Sequence, residues 1–356
     1  MAKKRGASGL CFVVGVDKPV GMSSHDVVNC CRRIFGERRV GHCGTLDPLA
    51  SGVMVVCVGP STRLDAHLTL DDKRYVARVV FGISTETDDS EGAIVRSGVT
   101  PDELRTEAFA RQKLAQMVGP MRQLPPAYSA IKVGGVKAYE AARQGKVIEL
   151  KGRDIEVYEA KLLDIGVTFG VAEDDPLAAG GFADDVPRVY WDVEFHVSKG
   201  TYIRSLARDL GVSCGVPSYL GGLRRTCSGV LKASDCATLK ALEADPEHAG
   251  RIDPIELLGH RFFFASESAA KLIANGGRLK PADVGLFICH RQDNLHPFIF
   301  PCSSTIAQDE TPLEDGEVVC ALVDNTLRAL YQYNQQTGLL QSCCGFSIGV
   351  QRGCNL

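Results

Sequence analysis

The chain of 356 residues has no apolar run near the roughly 18 residues that a membrane-spanning helix requires, which excludes a helical membrane protein. It has no glycine-rich dinucleotide fingerprint and no P-loop, so a nucleotide cofactor has no recognisable seat. Its fourteen cysteines include no Cys-x-x-Cys. The adjacent pairs Cys30-Cys31 and Cys343-Cys344 and the scattered singles make neither a zinc framework nor an export-type disulfide set. Cys289-His290, His296 and Cys302 form one loose cluster, whose spacing matches no common zinc pattern. The start, Met1-Ala2-Lys3-Lys4-Arg5-Gly6, is basic but leads into no apolar export segment. The expectation is a cytoplasmic protein with reduced thiols, no metal and no cofactor.

An excess of positive charge is also missing: 40 Lys and Arg stand against 43 Asp and Glu, a net charge of −3. The deficit is local. Glu173, Asp174, Asp175, Asp184 and Asp185 crowd an acidic segment, Gly170 to Pro187, without which the balance is +2. On either side the chain is basic, with seven bases and two acids from Gly119 to Arg153 and six bases and one acid from Lys199 to Lys232. Clustered charge, not the total, makes a footprint for phosphates. A hydrophobic share of 45% and a charged share of 23% are those of a globular protein with a real core.

Residue patterns divide the chain. Cys11 to Val16 is a short apolar strand. Ser23 and Asp26 form a capping-box pattern for a helix ending near Gly36, and Arg32, Arg33, Arg38 and Arg39 give it a basic face and exit. Consecutive Ser24, His25 and Asp26 point in different directions from a helix start, so they form no hydrolase relay. Val53 to Val58 reads as a buried strand, Ser61 to Leu70 as a helix and Lys73 to Ile83 as a half-buried strand. The acidic stretch Ser84 to Gly92 lacks the glycine and terminal glutamate of a calcium loop and reads as a surface turn. Thr100-Pro101-Asp102-Glu103 opens a helix to about Met117, and Gly221-Gly222-Leu223-Arg224-Arg225 reads as a turn. Ser234 caps a further helix. Beyond about His260 short β-like runs separated by Gly, Pro, Asn and Gln fit a compact β-rich module.

The stretch Gly41-His42-Cys43-Gly44-Thr45-Leu46-Asp47-Pro48-Leu49-Ala50-Ser51-Gly52 carries most of the chemistry. Its glycines and Pro48 shape a loop that presents one carboxylate, Asp47, on a constrained backbone. Before it comes Asp17-Lys18-Pro19-Val20-Gly21-Met22-Ser23-Ser24, and after it Asp72-Lys73-Arg74-Tyr75. Pro125-Pro126-Ala127-Tyr128-Ser129-Ala130-Ile131-Lys132, Lys199-Gly200-Thr201-Tyr202-Ile203-Arg204 and Leu223-Arg224-Arg225 follow. This ordered set, from about Gly15 to Arg225, closely resembles the TruB family, the tRNA pseudouridine-55 synthases.

The resemblance implies an α+β fold: a mixed, largely antiparallel sheet core over residues 1–259, followed by a small β-rich (PUA-like) domain over 260–356. It implies a mobile thumb near 124–145, with the acidic insertion near 170–187 between neighbouring strands. Asp47 becomes the catalytic carboxylate, Arg204 its bidentate ion-pair partner and Tyr75 the tyrosine that stacks on the uracil. Leu223 lines the base pocket, His42 fills the place of the flipped base, and Tyr202 and Lys18 stand near the site. Cys43, where the commonest pattern has a small or hydroxyl residue, and the insertion depart from that pattern. The implied partner is the T-arm of tRNA, bound by a monomer without an obligate protein partner. The rival readings are a non-catalytic tRNA-folding chaperone and a guide-RNA-dependent synthase subunit.

Overall fold

The apolar run after the Asp47 loop becomes the strand Ala50–Val58, all nine residues of it buried, as a strand covered on both faces demands. In the computed structural model, which describes residues 8–69, 72–128, 132–133, 136–137, 150–168, 177, 186–290 and 305–353, this strand lies inside a ten-stranded sheet. Its main path runs Arg251–Ile252, Phe12–Lys18, Ala50–Val58, Ser218–Ser228, Lys73–Phe81, Arg188–Val197, Arg153–Thr168, Gly119–Gln123. Val40–Cys43 and Leu231–Lys232 pair off this path. Ser218–Ser228 runs parallel to Ala50–Val58 and the other pairings are antiparallel, so the sheet is mixed and largely antiparallel as expected. The central segment of the expected thumb (with Tyr139 and Arg143), most of the expected acidic insertion, and the side chains of Cys289, His290, His296 and Cys302 lie outside the described residues.

The helix Ser24–Phe35 forms with both halves of the capping box in place, and Gly36 closes it at φ 61°. Such a cap is worth about 1 kcal/mol. The expected Thr100–Met117 helix is instead a 3₁₀ turn, Asp102–Arg105, and a helix, Glu107–Ala115, separated by an extended Thr106. A continuous helix would need the Leu104 carbonyl for Ala108, but the buried Trp191 indole donates to it at 2.7 Å. Gly221 and Gly222 do not turn the chain; they sit within the strand Ser218–Ser228, at a bulge beside Leu220. A Cβ on Gly221 would meet the Val80 side chain at 2.7 Å, and one on Gly222 the Leu177 carbonyl oxygen at 1.5 Å. Close approach, not reversal of direction, is what those glycines permit. Gly59–Leu64 is likewise 3₁₀, with only Asp65–Leu68 α-helical after it, and Thr238 rather than Ser234 caps the helix Leu239–Ala244.

A second sheet runs Thr305–Gln308, Phe287–His290, Phe262–Phe264, Val318–Val323, Thr326–Asn334, Leu339–Val350. It shares a core with the first: Cys11, Val13, Val55 and Cys57 pack with Phe262, Leu322, Leu330 and Val350. Arg352 crosses the same boundary and bonds the fully buried Asp253, with Nε 3.0 Å and Nη2 2.9 Å from Oδ2. Asp253 also caps the helix Pro254–Leu258 through the Ile255 amide at 2.8 Å. Replacing Arg352 with Ala strands that carboxylate, so a loss of about 3–5 kcal/mol is expected in urea unfolding. An unchanged midpoint would show that the joint between the sheets does not rest on this pair.

Candidate active site

The loop between Val40–Cys43 and Ala50–Val58 is held in place from several sides. Ser24, at the start of its helix, accepts from the Leu46 amide at 2.8 Å and donates to the Leu46 carbonyl at 2.9 Å. The fully buried Lys18 donates to the carbonyls of Pro19 (2.9 Å), Met22 (2.5 Å) and Pro48 (3.5 Å), and the Gly21 amide reaches Pro48 as well. Asp47 lies between these fixed residues with its side chain 34% exposed. It opens into a cleft of about 830 Å³.

Arg204, in the first turn of the helix Ile203–Cys214, meets Asp47 from across this cleft, its Nε 2.9 Å from Oδ2. The expected bidentate pairing is not what forms. Nε approaches Asp47 without a well-aligned hydrogen bond, and the other two nitrogens donate elsewhere. Nη1 stands 3.3 Å from Asp89 Oδ2 and donates to the Thr87 carbonyl at 3.1 Å, while Nη2 donates to the Tyr128 carbonyl at 3.0 Å. One buried cation thus joins two carboxylates and the Thr87 and Tyr128 carbonyls.

Asp89 was not legible as a site residue. Its stretch is no surface turn: Asp89 is 2% exposed, and its neighbour Asp88, at φ 60°, accepts from Arg208 at 2.9 Å. Arg208 also holds the Leu124 carbonyl at 2.9 Å, and Ser205 donates to the same oxygen at 2.9 Å. The signal available in the sequence was complementarity: Arg204 and Arg208 share one helix face at i, i+4 and meet the consecutive acids Asp88 and Asp89. Burial pushes the Asp89 carboxyl upward, with Thr87 and Arg204 opposing that shift. Glu91, on the same wall, is also raised, first by burial and then by repulsion from Asp89 and Asp47.

Tyr75 and Leu223, on adjacent strands, supply apolar wall beside Leu46 and belong to the same buried cluster. Tyr202 lines the opposite rim at the N-terminal end of the Arg204 helix, where Gln123 bonds both its amide (2.8 Å) and its carbonyl (3.0 Å). The Arg153 guanidinium lies 5.0 Å from the Tyr202 ring centre. His42 is not a cleft wall. It sits on the strand Val40–Cys43 opposite Val56, with Nδ1 buried and without a hydrogen-bond partner among the described residues, and burial lowers its pKa. Lys18 is likewise behind the loop rather than in the cleft. Among the described residues no group of three or more His, Cys, Asp or Glu side chains has the arrangement of a metal site, and no helix is long and apolar enough to cross a membrane.

The family described as TruB family pseudouridylate synthase (N terminal domain) matches residues 32–203. A tRNA pseudouridine synthase B of Deinococcus radiodurans is 40% identical over 277 residues, covering 75% of this chain and 88% of the relative. The chain belongs to the TruB family. A second TruB-family relative, the tRNA pseudouridine synthase B of Thermobifida fusca, is 41% identical over 285 residues, 77% of this chain and 90% of the relative. Among solved structures, a Cbf5-Nop10-Gar1 complex aligns with a TM-score of 0.60 at 21% identity, over 98% of this chain and 88% of that one. An H/ACA RNP bound to a substrate RNA containing 2′-deoxyuridine gives 0.59 at 21% identity, over 97% and 86%. At that identity the two structures show the fold alone, and their coverage takes in both sheets.

Burial of Lys18 lowers its ammonium from 10.5 to about 8, with Asp47 opposing the shift. The folded protein therefore gives up this proton before the unfolded chain does, so the Lys18 contribution to stability rises with pH between about 8 and 10.5 and is lost as pH falls through about 8. In a carbon NMR titration one lysine Cε signal, absent from Lys18→Met, is expected to move near pH 8. Titration of every lysine above pH 10 would contradict the burial argument.

Proposed function

We propose that this chain is a tRNA pseudouridine synthase that isomerises a T-arm uridine, uridine 55, to pseudouridine, acting without a guide RNA or a protein partner. The observation that carries the reading is a partly exposed carboxylate, Asp47, ion-paired to a buried arginine in a cleft with the apolar walls Tyr75 and Leu223. The isomerisation breaks the bond from C1′ to N1, forms one from C1′ to C5, and moves the C5 proton to the medium while N1 gains one. It has no net redox change and needs a carboxylate beside the sugar, a proton acceptor and a pocket for an unstacked base. Asp47 is the carboxylate, acting on the nucleotide as nucleophile or base. Arg204 pairs with it and fixes its rotamer. Tyr75 stacks on the uracil and stands ready to take the C5 proton, Leu223 packs on the base, and Tyr202 with Arg153 borders the path of the strand. The relatives at about 40% identity are named as tRNA enzymes, which favours a tRNA substrate over the assemblies that share the fold at 21%.

The test is purified protein with an unmodified tRNA transcript and detection of pseudouridine at the T-loop. Conversion of one uridine by the protein alone is expected; conversion only with an added guide RNA would favour the assembly type. Asp47→Asn keeps the shape of the side chain but not its charge, and should retain tRNA binding while turnover falls by at least about 1,000-fold. Repeated turnover by that variant would end the assignment. Asp89→Asn leaves Arg204 one carboxylate fewer and should slow the bound-state reaction by about 10- to 100-fold through misplacement of the arginine. A wild-type single-turnover rate in Asp89→Asn would remove Asp89 from the machinery.

A further inference from the structure

Arg225 lies two residues beyond Leu223, in parallel register with Gly52, and is 1% exposed at the edge of the cleft. Among the described residues its guanidinium donates only to main-chain oxygens: Nε to Val53 at 2.6 Å, Nη1 to Thr45 at 3.4 Å and Nη2 to Gly44 at 3.2 Å. Gly44 and Thr45 leave the strand Val40–Cys43 toward Asp47, while Val53 lies in the strand that returns from it. Both stems of the loop therefore hang on one side chain. The two glycines fit around it. Gly52 has φ 103°, and a Cβ there would sit 2.1 Å from the Arg225 carbonyl oxygen; Gly44 has φ 92°, and a Cβ would sit 3.5 Å from Nη1.

Among the described residues no carboxylate pairs with Arg225, whereas its neighbour Arg224 makes two bonds with Asp17, at 3.0 and 2.9 Å. A buried, unpaired guanidinium is costly, and an apolar side chain would fill the same space more cheaply. What an apolar side chain cannot do is join three carbonyls of two strands at fixed spacing. Ser24 and Lys18 hold the tip of the loop from the helix side; Arg225 holds its stems from the sheet side.

We propose that Arg225 is a positioning residue for the reaction: its guanidinium cross-links the two stems of the Gly44–Gly52 loop and so sets where Asp47 stands relative to Arg204. The proposal rests on the reading of the chain as a tRNA pseudouridine synthase. The test compares wild type, Arg225→Met and Arg225→Lys by tRNA affinity, single-turnover rate at saturating tRNA and thermal midpoint, each enzyme assayed well below its own midpoint. In Arg225→Met the single-turnover rate should fall by about 100-fold while tRNA affinity changes by no more than about threefold. Arg225→Lys, which offers an ammonium to one stem only, should remain at least about tenfold slow. Methylguanidinium added to Arg225→Ala should restore part of the rate, and methylammonium should not. A rate within threefold of wild type in folded Arg225→Met overturns the proposal, as does a loss confined to tRNA affinity, which would make Arg225 an RNA contact. Failure of both variants to fold also overturns it, because the residue would then serve the core alone. An inactive wild type would instead refute the functional reading.

Discussion

The guanidinium of Arg204 is the point on which the site depends. Asp47, the Thr87 carbonyl with Asp89, and the Tyr128 carbonyl come from three separate stretches of the chain, and each ends on this one buried group. Two carboxylates thus share one cation, which opposes the upward push that burial gives the Asp89 carboxyl. The cation is itself tolerated in the core because its nitrogens meet oxygens on every side described. Fold and chemistry meet in this arrangement. The Ile203–Cys214 helix must pack against the sheet for Arg204 to arrive, and the Ser84–Gly92 stretch must fold inward for Asp89 to meet it.

Much of this was legible because it is local. The buried Ala50–Val58 strand, the capping box at Ser23 and Asp26, the Gly36 stop and the constrained Asp47 loop each follow from residues within a dozen positions of one another. Where the reading failed, a distant partner decided. Trp191 takes the Leu104 carbonyl and breaks a helix that the sequence around Thr100 favours. Val80 and Leu177 press against Gly221 and Gly222, so a pair that reads as a turn lies inside a strand. Asp89 looked solvated because neighbouring Thr, Ser and Glu residues are polar, yet the bases that draw it inward lie more than a hundred residues away. The Arg204 position was legible by resemblance, but its division between two acids was not.

The join between the two sheets has a similar lesson. The composition changes near His260, and the first strand of the second sheet in sequence order is Phe262–Phe264. Composition says nothing about how the modules meet. Here the first sheet lends Cys11, Val13, Val55 and Cys57 to a core completed by Phe262, Leu322, Leu330 and Val350. The strand whose N-terminal end supports the Asp47 loop therefore has its back covered by the second sheet, and support of the loop extends well beyond the residues that line the cleft.

The chain has a single tryptophan, and the fold places it with some consequence. Trp191 is fully buried, edge-on to Phe81 and Phe109, in the same packed layer as Tyr75 and Leu223. Excited near 295 nm, the protein emits from this one indole, in a dry environment with its N–H already committed to a carbonyl. Its emission is therefore a built-in optical gauge of the layer beneath the cleft. A shift in that layer changes the environment of one identifiable emitter.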